Sequence, residues 1–230
     1  MIFIMEDVRG FVFDMDGLML DTEKISMDAW AWAFREASYA PDRAIFHSMI
    51  GHKIDDCRSI LARNLPQGAP VDSYFQAACD YYVQKIEDHP IPLKSGIIKL
   101  LEFLKAHDVP RAVATSTETP LAIKKLARSG LAPYFDHVVG ADQVAEAKPS
   151  PLLFLRAAEH LSLDPEVCLV LEDSGPGIRG ARAAGMQAVL IPDILLPSES
   201  IRDLAHYVFD SLDAFFDVFE GFFRQPVYNE

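Results

Sequence analysis

Short apolar runs near residues 10–14, 111–115, 137–141, 167–172, 187–191 and 206–209 alternate with helical patterns such as Ile97 to Ala106 and Leu152 to His160. A strand followed by a helix and another strand forms a βαβ unit, which pairs in parallel through a right-handed crossover. The alternation predicts an α/β fold: a Rossmann-like, doubly wound, mostly parallel sheet core. One stretch breaks the rhythm. From about residue 20 to 90 the chain does not return to a strand. It shows helical patterns instead, over Ala29 to Ala37 (Trp30, Ala33, Phe34 and Ala37 on one side), around Ile54 to Leu61, and over Tyr74 to Ile86. The turn signal Asn64-Leu65-Pro66-Gln67-Gly68 interrupts them. We therefore read 1–19 and 91–230 as the core domain and 20–90 as an inserted helical cap domain. Leu18 to Thr22 and Pro90 to Ser95 are the expected hinges. A chain of 230 residues is long enough for one full domain and a small second one.

The first apolar run, Phe11-Val12-Phe13, leads directly into Asp14-Met15-Asp16-Gly17-Leu18. Ligands of open α/β sheets bind at the carboxyl ends of the strands. Two carboxylates two residues apart repel there, and a divalent cation would justify their pairing and supply charge for handling phosphate. Asp16-Gly17 alone is also an ordinary turn signal. Three further segments follow in order. Ala112-Val113-Ala114-Thr115-Ser116 is a small-residue strand ending in two hydroxyls. Ala147-Lys148-Pro149 holds a lysine in a loop. Leu169-Val170-Leu171-Glu172-Asp173-Ser174 is another apolar strand ending in paired acids.

Across about residues 8–193 the chain resembles the haloacid dehalogenase-like hydrolase superfamily. "FVFDMDGLMLDTE" matches the first motif of that superfamily, "VATST" the second, "AKPSPLLF" the third and "LVLEDSGPGIRGARAAGM" the fourth. The resemblance is to the branch with a helical cap after the first motif, which includes sugar-phosphate phosphatases, phosphoglycolate phosphatase and beta-phosphoglucomutase. It implies an Mg²⁺-dependent phosphatase acting on a small phosphorylated metabolite. Asp14 would attack phosphorus, being ionised at neutral pH and needing no base. The resulting aspartyl-phosphate would then be hydrolysed by water. Asp16 would protonate the leaving oxygen and then take a proton from the attacking water; ligation alone is its other reading. Thr115 and the Ser116 N–H would donate to phosphoryl oxygens, although both residue types also serve routinely in turns and caps. Lys148, which Pro149 keeps out of a helix, would offset charge on Asp14 and the phosphate. The carboxylates of Asp14, Glu172 and Asp173, with the backbone carbonyl of Asp16, would hold Mg²⁺. Glu172 and Asp173 also suit a helix N-terminus, and both readings can hold together.

Beta-phosphoglucomutase carries a histidine after its first motif and a phosphate-gripping lysine after its second; Ser26 and Glu118 stand at the matching positions here. Both departures favour a simple phosphatase over the alternative of phosphoglucomutase-type transfer. His52, Lys53 and Arg58 are candidates for reading the leaving group from the cap, or else line a solvated helix start. A reading from another class is a non-catalytic phosphometabolite-binding or phosphoacceptor protein. Asp16 speaks against it, because an acid/base beside the nucleophile speeds the hydrolysis that a lasting signal would avoid.

The net charge of −13 argues against nucleic acid and against anionic membrane surfaces as partners. Cys57, Cys79 and Cys168 are scattered, with neither a disulfide framework nor zinc spacing, and the apolar start is too short for a signal peptide. A cytoplasmic protein is expected, as a monomer or weak homodimer. Leu212, Phe215, Phe216, Phe219, Phe222 and Phe223 recur at helical spacing, as expected of a last helix laid on the sheet. An exposed self-association patch is the other reading.

Overall fold

The computed structural model describes residues 7–35, 42–49 and 54–223. Its elements run β1 (Gly10–Phe13), α1 (Thr22–Ala33), α2 (Arg43–His47), α3 (Ile54–Asn64), α4 (Val71–Asp88), α5 (Ile97–Ala106) and β2 (Arg111–Ala114). There follow α6 (Thr119–Ser129), β3 (His137–Val139), α7 (Leu152–Leu161), β4 (Cys168–Glu172), α8 (Gly175–Ala183) and β5 (Gln187–Leu190). The chain closes with α9 (Glu199–Leu204), β6 (Tyr207–Val208) and α10 (Leu212–Phe223).

The six strands form one parallel sheet in the order β3-β2-β1-β4-β5-β6. β1 and β4 sit at its centre and every residue in both is buried. Helices cover both sheet faces, so these strands must be apolar throughout rather than alternating, as Gly-Phe-Val-Phe and Cys-Leu-Val-Leu are. On one face Phe11, Phe13, Leu169 and Leu171 pack with Leu100 and Leu104 of α5, Leu126 of α6, and Phe215 and Phe216 of α10. On the other, Val12, Val170 and Ala188 pack with Leu153 and Phe154 of α7, Ile178 of α8 and Ile201 of α9. Burying each such side chain is worth about 1.5–3 kcal/mol. The aromatic last helix is thus part of the core: Phe215, Phe216 and Phe219 are buried, and Phe219 meets Phe11 edge-on at 5.3 Å.

Chain order reverses at β1, whose neighbours are β2 on one side and β4 on the other. Such a switch point leaves a crevice beyond the carboxyl ends of the strands. Helices α1 to α4 stand over it with an apolar cluster of their own. Trp30 stacks on Phe46 at 5.9 Å, and Phe34 lies 4.3 Å from Tyr74. The chain leaves the sheet and returns to it side by side. Leu20 and Leu93 form an antiparallel bridge, Asp21 N–H donates to the Pro92 carbonyl (2.9 Å), and Lys94 N–H donates to that of Met19 (2.9 Å). Lys94 also pairs with Asp193, just beyond β5.

Candidate active site

The ends of β1, β2 and β4 and the turn before α7 bring the four sequence segments to the wall of one cavity of about 560 Å³. Asp14, Asp16, Thr115, Ser116, Lys148, Glu172 and Asp173 all line it. Asp14 continues β1, its N–H donating to the Leu171 carbonyl at 3.0 Å, and its side chain is buried. Lys148, in the turn before α7, donates to Asp14 and, at 2.8 Å, to Glu172 Oε2. The other Glu172 oxygen accepts from the Ser174 N–H (3.0 Å) and hydroxyl (2.6 Å). Ser174 in turn caps α8 by accepting the Gly177 N–H at 3.1 Å. The paired acids ending β4 therefore do open a helix, and they also face the site.

Two glycines are required by close approach. Gly17 sits at φ +85°, and a β-carbon on it would fall 2.3 Å from Asp173 Oδ2. A β-carbon on Gly177 would lie 2.0 Å from the Glu172 carboxyl carbon.

Carboxylate oxygens of Asp14, Glu172 and Asp173 lie within 4.8 Å of one another. Burial, then Glu172, push Asp14 up to about 8 against the pull of Lys148. Burial, then Asp14 and Glu172, raise Asp173 well above the usual carboxylate range. Lys148 is opposed by burial yet held protonated by Asp14 and Glu172. One ammonium thus faces three acids, and the group lacks positive charge. A hard divalent cation with oxygen ligands fits that deficit.

Asp16 is held differently. Its Oδ1 accepts from the Thr22 hydroxyl (2.7 Å) and the Lys125 ammonium (2.7 Å), and its Oδ2 from the Thr117 hydroxyl (2.7 Å). Burial pushes this carboxyl up, but Lys125 and then the two threonines prevail and hold it below its ordinary value. Thr115 is buried, and its Oγ1 accepts the Thr117 N–H at 3.1 Å, leaving the hydroxyl proton for an acceptor in the cavity.

The cap candidates fare differently. Arg58 is not among the residues lining the cavity. It is half exposed on α3 and pairs with Asp72 in the first turn of α4, at 2.5 and 2.9 Å. His52 and Lys53 lie outside the described residues. Ser26 and Glu118 both line the cavity, as do Trp30, Phe46, Phe75 and Tyr82 above it.

The sequence model of the haloacid dehalogenase-like hydrolases matches residues 8–185. The chain belongs to that family. Among its relatives, fructose-1-phosphate phosphatase YqaB of Escherichia coli is 34% identical over 200 residues, covering 80% of this chain and 96% of the relative. A phosphorylated carbohydrates phosphatase of Thermotoga maritima is 29% identical over 182 residues, covering 79% and 84%. Of solved structures, CbbY from Rhodobacter sphaeroides in complex with phosphate superimposes with a TM-score of 0.75 at 26% identity, covering 89% of this chain and 95% of CbbY. The beta-phosphoglucomutase of Clostridium difficile shares the fold, with a TM-score of 0.72 at 22% identity over 95% and 100% of the two chains. With phosphatases among its relatives, this family member is a hydrolase of phosphoric monoesters.

Four residues that meet Asp16 or its neighbours escaped the sequence reading: Thr22, Thr117, Lys125 and Glu23. Lys125 carried a signal. It lies three residues after Ala122 and one before Leu126, on the stripe that α6 buries. Glu23 lines the cavity from the first turn of α1, and burial, then Asp16 and Asp193, push it up to about 7. Among the described residues no helix is long and apolar enough to cross a membrane.

Proposed function

We propose that this hydrolase is an Mg²⁺-dependent phosphatase that acts on a small phosphomonoester, a sugar phosphate or similar metabolite, through an aspartyl-phosphate at Asp14. The observation that carries the reading is the setting of Asp14. It lies at the carboxyl end of the central strand, between the Lys148 ammonium and two further acids, with Asp16 two residues away on a separate set of donors. Asp14, Glu172, Asp173 and the Asp16 carbonyl would hold the cation, which supplies charge neutralisation for a dianionic substrate. Glu172 already accepts from Lys148 and Ser174, so its main duty is to fix the lysine.

The substrate phosphoryl group would be gripped by Lys148, the Thr115 hydroxyl and the Ser116 N–H. Asp14 Oδ attacks phosphorus as the P–O bond to the leaving group breaks; Asp16, ionised in the resting site, takes up a proton as the phosphate dianion arrives beside it and gives that proton to the leaving oxygen. Asp16, now a carboxylate, then takes a proton from the water that attacks the aspartyl-phosphate. This releases phosphate and restores Asp14. Residues 20–90 act as a cap, closing over the leaving group and excluding solvent.

Glu118 lines the cavity where a lysine would be needed to grip a second phosphate, and this supports hydrolysis over mutase transfer. Fructose-1-phosphate and phosphorylated carbohydrates, named for the two relatives, make sugar phosphates the first substrates to try.

The test is phosphate release from a panel of phosphometabolites, with and without Mg²⁺, for wild type and Asp14→Asn. Mg²⁺-dependent release that disappears in D14N is the expected result. Release that survives in D14N, or none from a folded and metal-loaded protein, would refute the proposal.

A further inference from the structure

Lysine is almost never fully buried, since taking an ammonium out of water costs several kcal/mol without a partner. The Lys125 side chain is 3% exposed, although Lys124, one residue earlier on α6, reaches solvent. Three contacts hold it. It donates to Asp16 Oδ1 at 2.7 Å and approaches the Thr117 hydroxyl at 3.3 Å. It also faces Tyr82, the ammonium lying 5.3 Å from that ring. Tyr82 belongs to α4, and Lys124 pairs with Glu87 of the same helix. Adjacent lysines of α6 thus fasten the sheet side of the molecule to α4, one at the surface and one inside against Asp16. Both lysines line the cavity, but Lys148 is the one paired with Asp14 and Glu172, whereas Lys125 is paired with Asp16.

We infer that Lys125 is a positioning residue for the proton-transferring carboxylate: its ion pair sets where Asp16 stands, and its contact with Tyr82 ties that placement to α4. The inference rests on the phosphatase reading, in which Asp16 serves the leaving oxygen. Of the three donors on Asp16, two are neutral hydroxyls from the hinge and from the loop after β2. Lys125 is the charged one, and charge-assisted bonds are roughly twice as strong as neutral ones. Removing it frees the carboxylate to rotate on Thr22 and Thr117 without disturbing Asp14, Lys148 or the acids that face them.

Proton transfer matters for a poor leaving group and hardly at all for a good one, and the experiment uses that contrast. The kcat and KM of wild type, Lys125→Met, Lys125→Arg, Tyr82→Phe and Asp16→Asn are measured with the best alkyl phosphomonoester of the panel and with p-nitrophenyl phosphate. General acid–base catalysis contributes about 10²–10⁴-fold. D16N should therefore lose most of its kcat/KM, which reports the steps up to departure of the leaving group, on the alkyl ester and little on the nitrophenyl ester, while its kcat falls for both because Asp16 also serves the water of the shared second step. K125M should show the same selective loss in kcat/KM, about 100-fold against under fivefold. K125R should recover at least tenfold of it, and Y82F should lose the alkyl reaction alone, by severalfold. Should K125M not fold, the K125R and Y82F comparisons carry the test. Equal losses on both esters in K125M and Y82F, or none, while D16N still discriminates, would overturn the inference and leave the phosphatase reading intact. A wild type that releases no phosphate, or a D16N that loses kcat/KM equally on both esters, would overturn the two together.

Discussion

Replacing Gly177 by alanine puts one methyl group where the Glu172 carboxylate already is. The new β-carbon would lie 2.0 Å from the carboxyl carbon and 2.1 and 2.4 Å from its oxygens. Ordinary carbon contacts are about 3.5–4.0 Å, so the carboxylate must retreat by about 1.5 Å. Glu172 is fully buried and both its oxygens are engaged, one by Lys148 and one by Ser174, so retreat breaks at least one of these bonds. Breaking a buried pair costs about 3–5 kcal/mol. For a chain of 230 residues, at roughly 2–4 °C per kcal/mol, Tm should fall by about 10 °C. Lys148 loses one of its two anchors, and a 1 Å misplacement at a reacting centre can cost about 10²-fold. The assay pairs thermal melts with phosphate release for Gly177→Ala and for Gly221→Ala. A β-carbon on Gly221 meets nothing within 4 Å, so G221A is the harmless control. A G177A protein that melts within about 2 °C of wild type and keeps half its activity would show that α8 yields easily. Glu172 would then not be the fixed point on which Lys148 rests.

The remaining predictions concern pH and packing. The Glu23 carboxyl is raised to about 7 from an ordinary 4.5, so the folded protein binds more protons than the unfolded chain between those values. Stability on this account falls as pH rises through that window. In metal-free buffer, Glu23→Gln should therefore melt like wild type near pH 5 and above it near pH 8, by about 1–2 kcal/mol; the same difference at both pH values would contradict this. Phe215→Ala removes a fully buried ring that packs on Phe209 at 5.5 Å and Phe219 at 5.7 Å. It should cost about 3–5 kcal/mol in denaturant melts, and a loss under about 1 kcal/mol would mean that α10 is not part of the core.

The sheet was legible because its strands are buried on both faces and so read as unbroken apolar runs; predicted and observed limits differ by a residue or two. The candidate site was legible for the opposite reason, since paired acids placed directly after such runs are out of place as packing, whereas Lys148, in a loop well past β3, was placed by the resemblance alone. What did not show was orientation. Helix α1 begins at Thr22, well before the apolar stripe around Trp30, because its first turn faces the cavity with Thr22 and Glu23 and carries no apolar signal. Periodicity puts Lys125 rather than Lys124 on the stripe that α6 buries, but it could not name the partner, since Asp16 is 109 residues away in sequence. Arg58 misled for the same reason: a charge near a cap motif does not reveal that Asp72, on the next helix, will claim it.

At the doorway between sheet and cap, outgoing residues Met19 to Asp21 and incoming residues Pro92 to Lys94 are laced to each other by backbone bonds that involve no side chain. Any insert grafted between those two threads starts and finishes at the same spot, so its length alters chain-closure entropy only logarithmically. Such an insert can be longer, shorter or differently surfaced over Asp14 while Asp14, its lysine and the strands beneath stay unchanged. On the phosphatase reading, the sheet would carry the chemistry, and the choice of substrate would be left to a detachable part.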